Sequence, residues 1–70
     1  MKKEGRVARV TEVIAGSPAG FDEAIKIAFD RANKTLRNIT GMRVIEQRVN
    51  CEAGKIKEYR VRAEVIFVLE

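Results

Sequence analysis

Histidine and tryptophan are absent from the 70-residue chain, and cysteine, proline and tyrosine occur once each. Without histidine, the Ser-His and Cys-His arrangements of nucleophilic catalysis have no base. A single cysteine excludes an internal disulfide and cannot assemble a structural zinc site with nitrogen and sulfur ligands. Cys51 therefore reads as a small strand residue. One tyrosine and no tryptophan leave little surface on which nucleic-acid bases stack. No apolar run reaches the roughly 18 residues of a membrane span. The opening Met1-Lys-Lys-Glu-Gly leads into an alternating segment, with no apolar stretch of the signal-peptide kind. The expectation is a cytoplasmic protein without a membrane partner.

A chain of this length reads as one domain, residues 1–70, and such a domain buries only about 60% of the surface its unfolded chain exposes. Self-association is the expected remedy, since disulfides and structural metal are excluded. Fourteen basic residues are interleaved with ten acidic ones for a net charge of +4. Phosphate neutralisation calls for clustered Lys and Arg, and here the nearest approach is Lys2, Lys3, Arg6 and Arg9. That group defines an alternative function, an interaction module for anionic partners such as a phosphorylated cofactor or nucleic acid. The interleaved charge and scarce aromatics count against nucleic acid.

Residues 6–14, rich in β-branched side chains, predict a first strand that ends at Ala15-Gly16-Ser17-Pro18. Ser17 suits an N-cap and Pro18 the first helical position, where a missing N–H costs nothing. From Phe21 the apolar positions Phe21, Ala24, Ile25, Ala28, Phe29, Ala32, Leu36 and Ile39 form the stripe of an amphipathic helix. Asp30 and Lys34 make an i, i+4 pair on its outer side. Thr40-Gly41 ends this helix, and Met42 to Cys51 alternates as a second strand, with Val44, Glu46, Arg48 and Asn50 on one side. Glu52-Ala53-Gly54 makes a hairpin loop in which Gly54 supplies a positive φ.

The third strand, Lys55 to Leu69, alternates between two faces. Tyr59, Val61, Ala63, Val65, Phe67 and Leu69 face the helix. Glu58, Arg60, Arg62, Glu64, Ile66 and Val68 form a face with no helix to cover it. The fold class is α+β, a β-α-β-β unit whose three-stranded antiparallel sheet carries one long helix on one face. The other face suits a subunit contact or the wall of a ligand cavity.

Catalytic chemistry finds little foothold, and the chain is not expected to be an enzyme. Glu46, Glu58 and Glu64 are the carboxylates that paired strands can bring near one another, and ordinary ion pairs with Arg48, Arg60 or Arg62 account for them. The glycines before the helix read as a strand-to-helix turn, not a phosphate loop. Calcium needs six or more oxygens, which no stretch of this chain supplies, so it would require several subunits converging on an axis.

The whole pattern resembles the dodecins, small β-α-β-β proteins that assemble as hollow dodecamers and, in most members, store flavin. The resemblance is carried by Gly16-Ser17, Arg31-Ala32 and Lys34-Thr35-Leu36, by Val44-Ile45-Glu46-Gln47, and by Glu52-Ala53-Gly54 through Glu58-Tyr59-Arg60-Val61 to Glu64-Val65-Ile66-Phe67. It implies a homododecamer that binds or stores a small molecule, with FMN, FAD or riboflavin as the family's cofactor. It also implies a tryptophan just after the helix, stacked on the flavin ring, and a glutamine after the tyrosine of the last strand. This chain has Gly41 and Arg60 at those places, which resembles a subgroup without the tryptophan in which flavin is not the evident cargo. The ligand-binding residues expected from the resemblance are Gly41, Arg43, Glu46, Arg48 and Arg60. Coenzyme A-like molecules and calcium are further candidate ligands.

Overall fold

A computed structural model describes residues 5–69; Lys2 and Lys3 of the basic N-terminal group lie outside the described residues. Strand β1 (Ala8–Ser17) is followed by helix α1 (Phe21–Asn33), then by β2 (Ile39–Glu52) and β3 (Lys55–Val68). The sheet order is β1-β3-β2 and both pairings are antiparallel. This is the expected β-α-β-β architecture, with the most apolar strand at the centre.

The helix packs on the predicted face. Val61, Ala63 and Val65 of β3 and Ala24 of α1 are fully buried, with Ala28 and Ala32 nearly so. Burial of alanines along the helix stripe brings its backbone close to the sheet. Phe21 meets Tyr59 edge to face, ring centroids 5.2 Å apart, and ties the start of the helix to β3. Among the described residues, four of the six buried apolar ones are alanines, so the core is thin and a lone copy gains little from it. Val10, Ile14 and Phe29 stay exposed, although the periodicity assigned Phe29 to the buried stripe. The alanines already seat the helix, so the larger side chain is left at the margin.

Several element boundaries differ from the expected ones. The helix stops at Asn33, not Ile39, because the chain tightens there: Lys34 donates to the Arg31 carbonyl at 3.2 Å and Thr35 to that of Ala32 at 3.1 Å. Asn38 then adopts a positive φ of 61°, and Ile39 enters β2 opposite Phe67. Asparagine tolerates that conformation better than most residues. Lys34 lies past the helix, and no ion pair joins it to Asp30 among the described residues. Ser17 is not the N-cap, which is Gly20, and Pro18 precedes the helix. Ser17 instead ends β1, where its buried Oγ accepts from the Ala19 N–H and donates to Glu23 Oε1, both at 3.0 Å.

A further difference concerns β2, which runs from Ile39 through Thr40 and Gly41, so these residues belong to the sheet. Its register slips between Val44 and Glu46. The bulge at Ile45 places Val44 opposite Ala63 on the helix side, and Glu46 opposite Arg62 on the bare side. Strict alternation had put Val44 and Glu46 on one side.

The hairpin loop is tighter than expected. Glu52 pairs with Lys55, and only Ala53 and Gly54 turn the chain, with φ of 54° and 76°. Two left-handed residues in succession make the type I′ geometry that suits the strand twist. Beyond Tyr59, which pairs with Ser17 at the end of β1, the tip of this hairpin has no third strand beside it among the described residues.

Candidate functional site

The uncovered face of the sheet follows from the register. Val10, Glu12, Ile14 and Gly16 of β1 lie opposite Ile66, Glu64, Arg62 and Arg60 of β3, which lie in turn opposite Gly41, Arg43, Glu46 and Arg48 of β2. All five residues expected at the ligand site thus share this face. The bulge at Ile45 is what unites them, because an uninterrupted strand would point Arg43 and Glu46 to opposite sides.

The face divides into an apolar end and a charged end. Val10, Ile66 and Gly41 make a row in which no side chain carries charge; a Cβ added at Gly41 would lie 3.8 Å from Ile66 Cδ1, an ordinary contact. In the next row Arg43 pairs with Glu64 at 3.0 Å, largely in solvent. Arg62 follows, between two carboxylates: Glu12 at 2.7 Å on one flank and Glu46 at 3.5 Å on the other. The hydrogen bond from Arg62 to Glu12, with that carboxylate's charge and the smaller effect of Glu46, raises the guanidinium pKa further above its usual value.

Arg48 and Arg60 then stand directly opposite each other. Like charges in that relation repel. Arg60 Nη2 donates to Glu58 Oε1 at 2.9 Å, and Asn50 Nδ2 donates to the same oxygen at 3.1 Å. Of the expected ion pairs between these carboxylates and arginines, this one lies within a single strand, Glu58 being two residues before Arg60 on β3. Arg60 Nε is buried and has no hydrogen-bond partner among the described residues. Arg48 has no carboxylate within ion-pair distance among the described residues.

Glu46, Arg48 and Arg60 border one small cavity of about 50 Å³, together with Ile14 and Arg62. Gly41 and Arg43 lie farther along the face, outside it. Arg62 and Ile14 were not among the expected site residues. Arg62 was legible, two places from Arg60 on the same face of a strand. Ile14 was not, since only the β1 register brings it there. Of the alternative basic group, Arg6 precedes β1 beside an open cleft with Asn38 and Leu69, while Arg9 lies opposite Phe67 on the helix side. Among the described residues no three acidic or thiol side chains gather as a metal site, and no helix is long and apolar enough to cross a membrane.

A helix laid on one side of a three-stranded sheet, with a charged and apolar face left open, defines a small two-layer protein of β-α-β-β architecture. The chain belongs to the dodecin family, whose sequence model matches residues 7–70. It is 39% identical over 66 residues to the dodecin of Thermus thermophilus, covering 94% of this chain and 96% of that one. A crystal structure from the same organism matches with a TM-score of 0.89, covering 94% and 97% of the two chains at 39% identity. The dodecin of Streptomyces coelicolor is 35% identical, with 97% of each chain covered and a TM-score of 0.90. A calcium dodecin of Mycobacterium tuberculosis, described as having a calcium-binding site, is 35% identical over 91% of each chain, with a TM-score of 0.80.

Proposed function

We propose that the chain folds as one domain and forms a cytoplasmic, non-enzymatic storage or binding shell of twelve copies. Its ligand is held on the open face near Gly41, Arg43, Glu46, Arg48 and Arg60. The observation that carries this reading is the open face itself. It leaves Val10 and Ile14 more than half exposed, at 53% and 63%, over a core built mostly of alanine. Identical copies that close around this face shield those side chains and create an interior at the same time.

Flavin fits this chain's residues poorly. The T. thermophilus relative has a tryptophan, since it has been solved as a tryptophan-to-phenylalanine mutant, whereas this chain has none. Where the family resemblance places the stacking ring, Gly41 offers no π-face and the aliphatic Ile66 lies across from it. Each lost stacking partner costs about 1–3 kcal/mol. Arg60, in place of a neutral amide, favours carboxylate or phosphate over the polar edge of a flavin ring.

Native mass spectrometry of the purified protein, with fluorescence titration of riboflavin beside it, tests both halves of the proposal. The expected result is a twelve-subunit mass that leaves added riboflavin fluorescent. A stable monomer at micromolar concentration would overturn the shell, and strong flavin quenching would overturn the loss of stacking. The M. tuberculosis relative favours a second reading, a shell that binds calcium. Carboxylates from several copies would have to converge, because one copy does not gather them. Calorimetric titration of the assembled protein with calcium decides between the two.

A further inference from the structure

We propose that Arg48 and Arg60 form a seat for an oxyanion, phosphate or carboxylate, and that Glu58 occupies this seat as an internal competitor. The inference rests on the preceding reading that the open face carries the ligand. Two arginines stand directly across a strand pair, where like charges repel. A group of opposite charge between them removes the repulsion and gains charge-assisted hydrogen bonds to planar donor forks. The cavity that both arginines border measures about 50 Å³, room for one or two water-sized oxygens at about 30 Å³ each.

Three details show the seat only half satisfied from within. Glu58 reaches one nitrogen of Arg60, while Arg60 Nε is buried without a partner among the described residues. Arg48 has no carboxylate within ion-pair distance among the described residues. The Glu58 carboxylate folds over Gly16, in the space a Cβ at that position would fill. Glycine at this point of β1 is what admits the carboxylate, and a methyl group there displaces the flexible end of Glu58 from Arg60. Phosphate and carboxylate share the chemistry that Glu58 imitates, so an incoming ligand group competes with a side chain already tethered beside the seat.

The test is calorimetric titration of the assembled protein with inorganic phosphate and, separately, with acetate, in a buffer free of other oxyanions. Removing the tethered competitor in Glu58→Gln tightens binding of the preferred anion about tenfold, a charge-assisted contact's worth. Gly16→Ala, which keeps the carboxylate but moves it, also tightens binding and covers the case in which Glu58→Gln fails to fold. Arg48→Gln and Arg60→Gln each weaken it about tenfold or more. Glu52→Gln, the same charge change at the hairpin tip, leaves it unchanged. The phosphate and acetate arms identify which oxyanion the seat prefers. The inference is overturned if neither anion responds to the arginine substitutions, or if Glu58→Gln and Gly16→Ala bind no tighter than Glu52→Gln. Light scattering on each sample keeps the two proposals apart. An assembled wild type without this pattern removes only the seat, and an unassembled wild type removes the shell.

Discussion

Gly41 shows how much chemistry one missing side chain withdraws from a face. A tryptophan at this position would project from β2 beside Ile66, and the nearest obstacle to its Cβ is a methyl carbon at ordinary contact distance. The backbone there can accept a side chain. Gly41→Trp is therefore expected to fold, to assemble, and to bind riboflavin at least about tenfold more tightly than the wild type, since a stacked ring contributes about 1–3 kcal/mol. Fluorescence titration reads this directly. Adding Arg60→Gln is expected to tighten binding again, by exchanging a guanidinium for a neutral amide with both donor and acceptor. No gain in either variant would mean that something other than the absent ring keeps flavin out.

Among the elements, the β2–β3 hairpin shows most clearly what the sequence revealed and what it withheld. The turn was legible, because a glycine between two alternating segments signals a hairpin. Ala53 carries a second positive φ that the sequence did not announce, since alanine has no preference for that conformation. Ala53→Asn is accordingly expected to raise stability by about 0.5–1 kcal/mol, and Gly54→Ala to lower it by about 1 kcal/mol or more, read as opposite shifts of the urea midpoint. The end of the helix was misplaced for a related reason. Leu36 and Ile39 continue the apolar period, and only the tight turn at Asn33–Asn38 shows that they belong to another element. The bulge at Ile45 left no mark in the residue pattern. It arises from pairing with β3, and it decides which side chains face the candidate site. Charges on β3 were readable from simple alternation, whereas the contribution of β1, with Glu12 and Ile14, depends on a register that no local signal fixes.

For the whole molecule, the bare face is expected to control association. Ile66 lies at its apolar end, away from the helix-side core of Val61, Ala63 and Val65. Ile66→Asp places an unpaired carboxylate where neighbouring copies would exclude water, at a cost of several kcal/mol for a buried charge. The expected outcome is a shift to smaller species in light scattering at micromolar concentration, with the far-ultraviolet circular dichroism largely retained. Thermal stability of the wild type is expected to rise with protein concentration, because copies that bind one another stabilise the folded state by mass action. A melting temperature unchanged over a hundredfold dilution, with no change in size, would argue against association as the source of stability.

The overhanging tip of the β2–β3 hairpin adds a means of following this process in time. A two-stranded ribbon is at best marginally stable in water, and amide hydrogens in weakly held segments exchange readily. In isolated copies, the amides from Asn50 to Glu58 should take up deuterium well before those of Val61 to Val65. If neighbouring copies clasp that ribbon, its exchange should slow to match the centre of the sheet, and the lag between the two segments then becomes a clock for how a lone polypeptide joins its fellows.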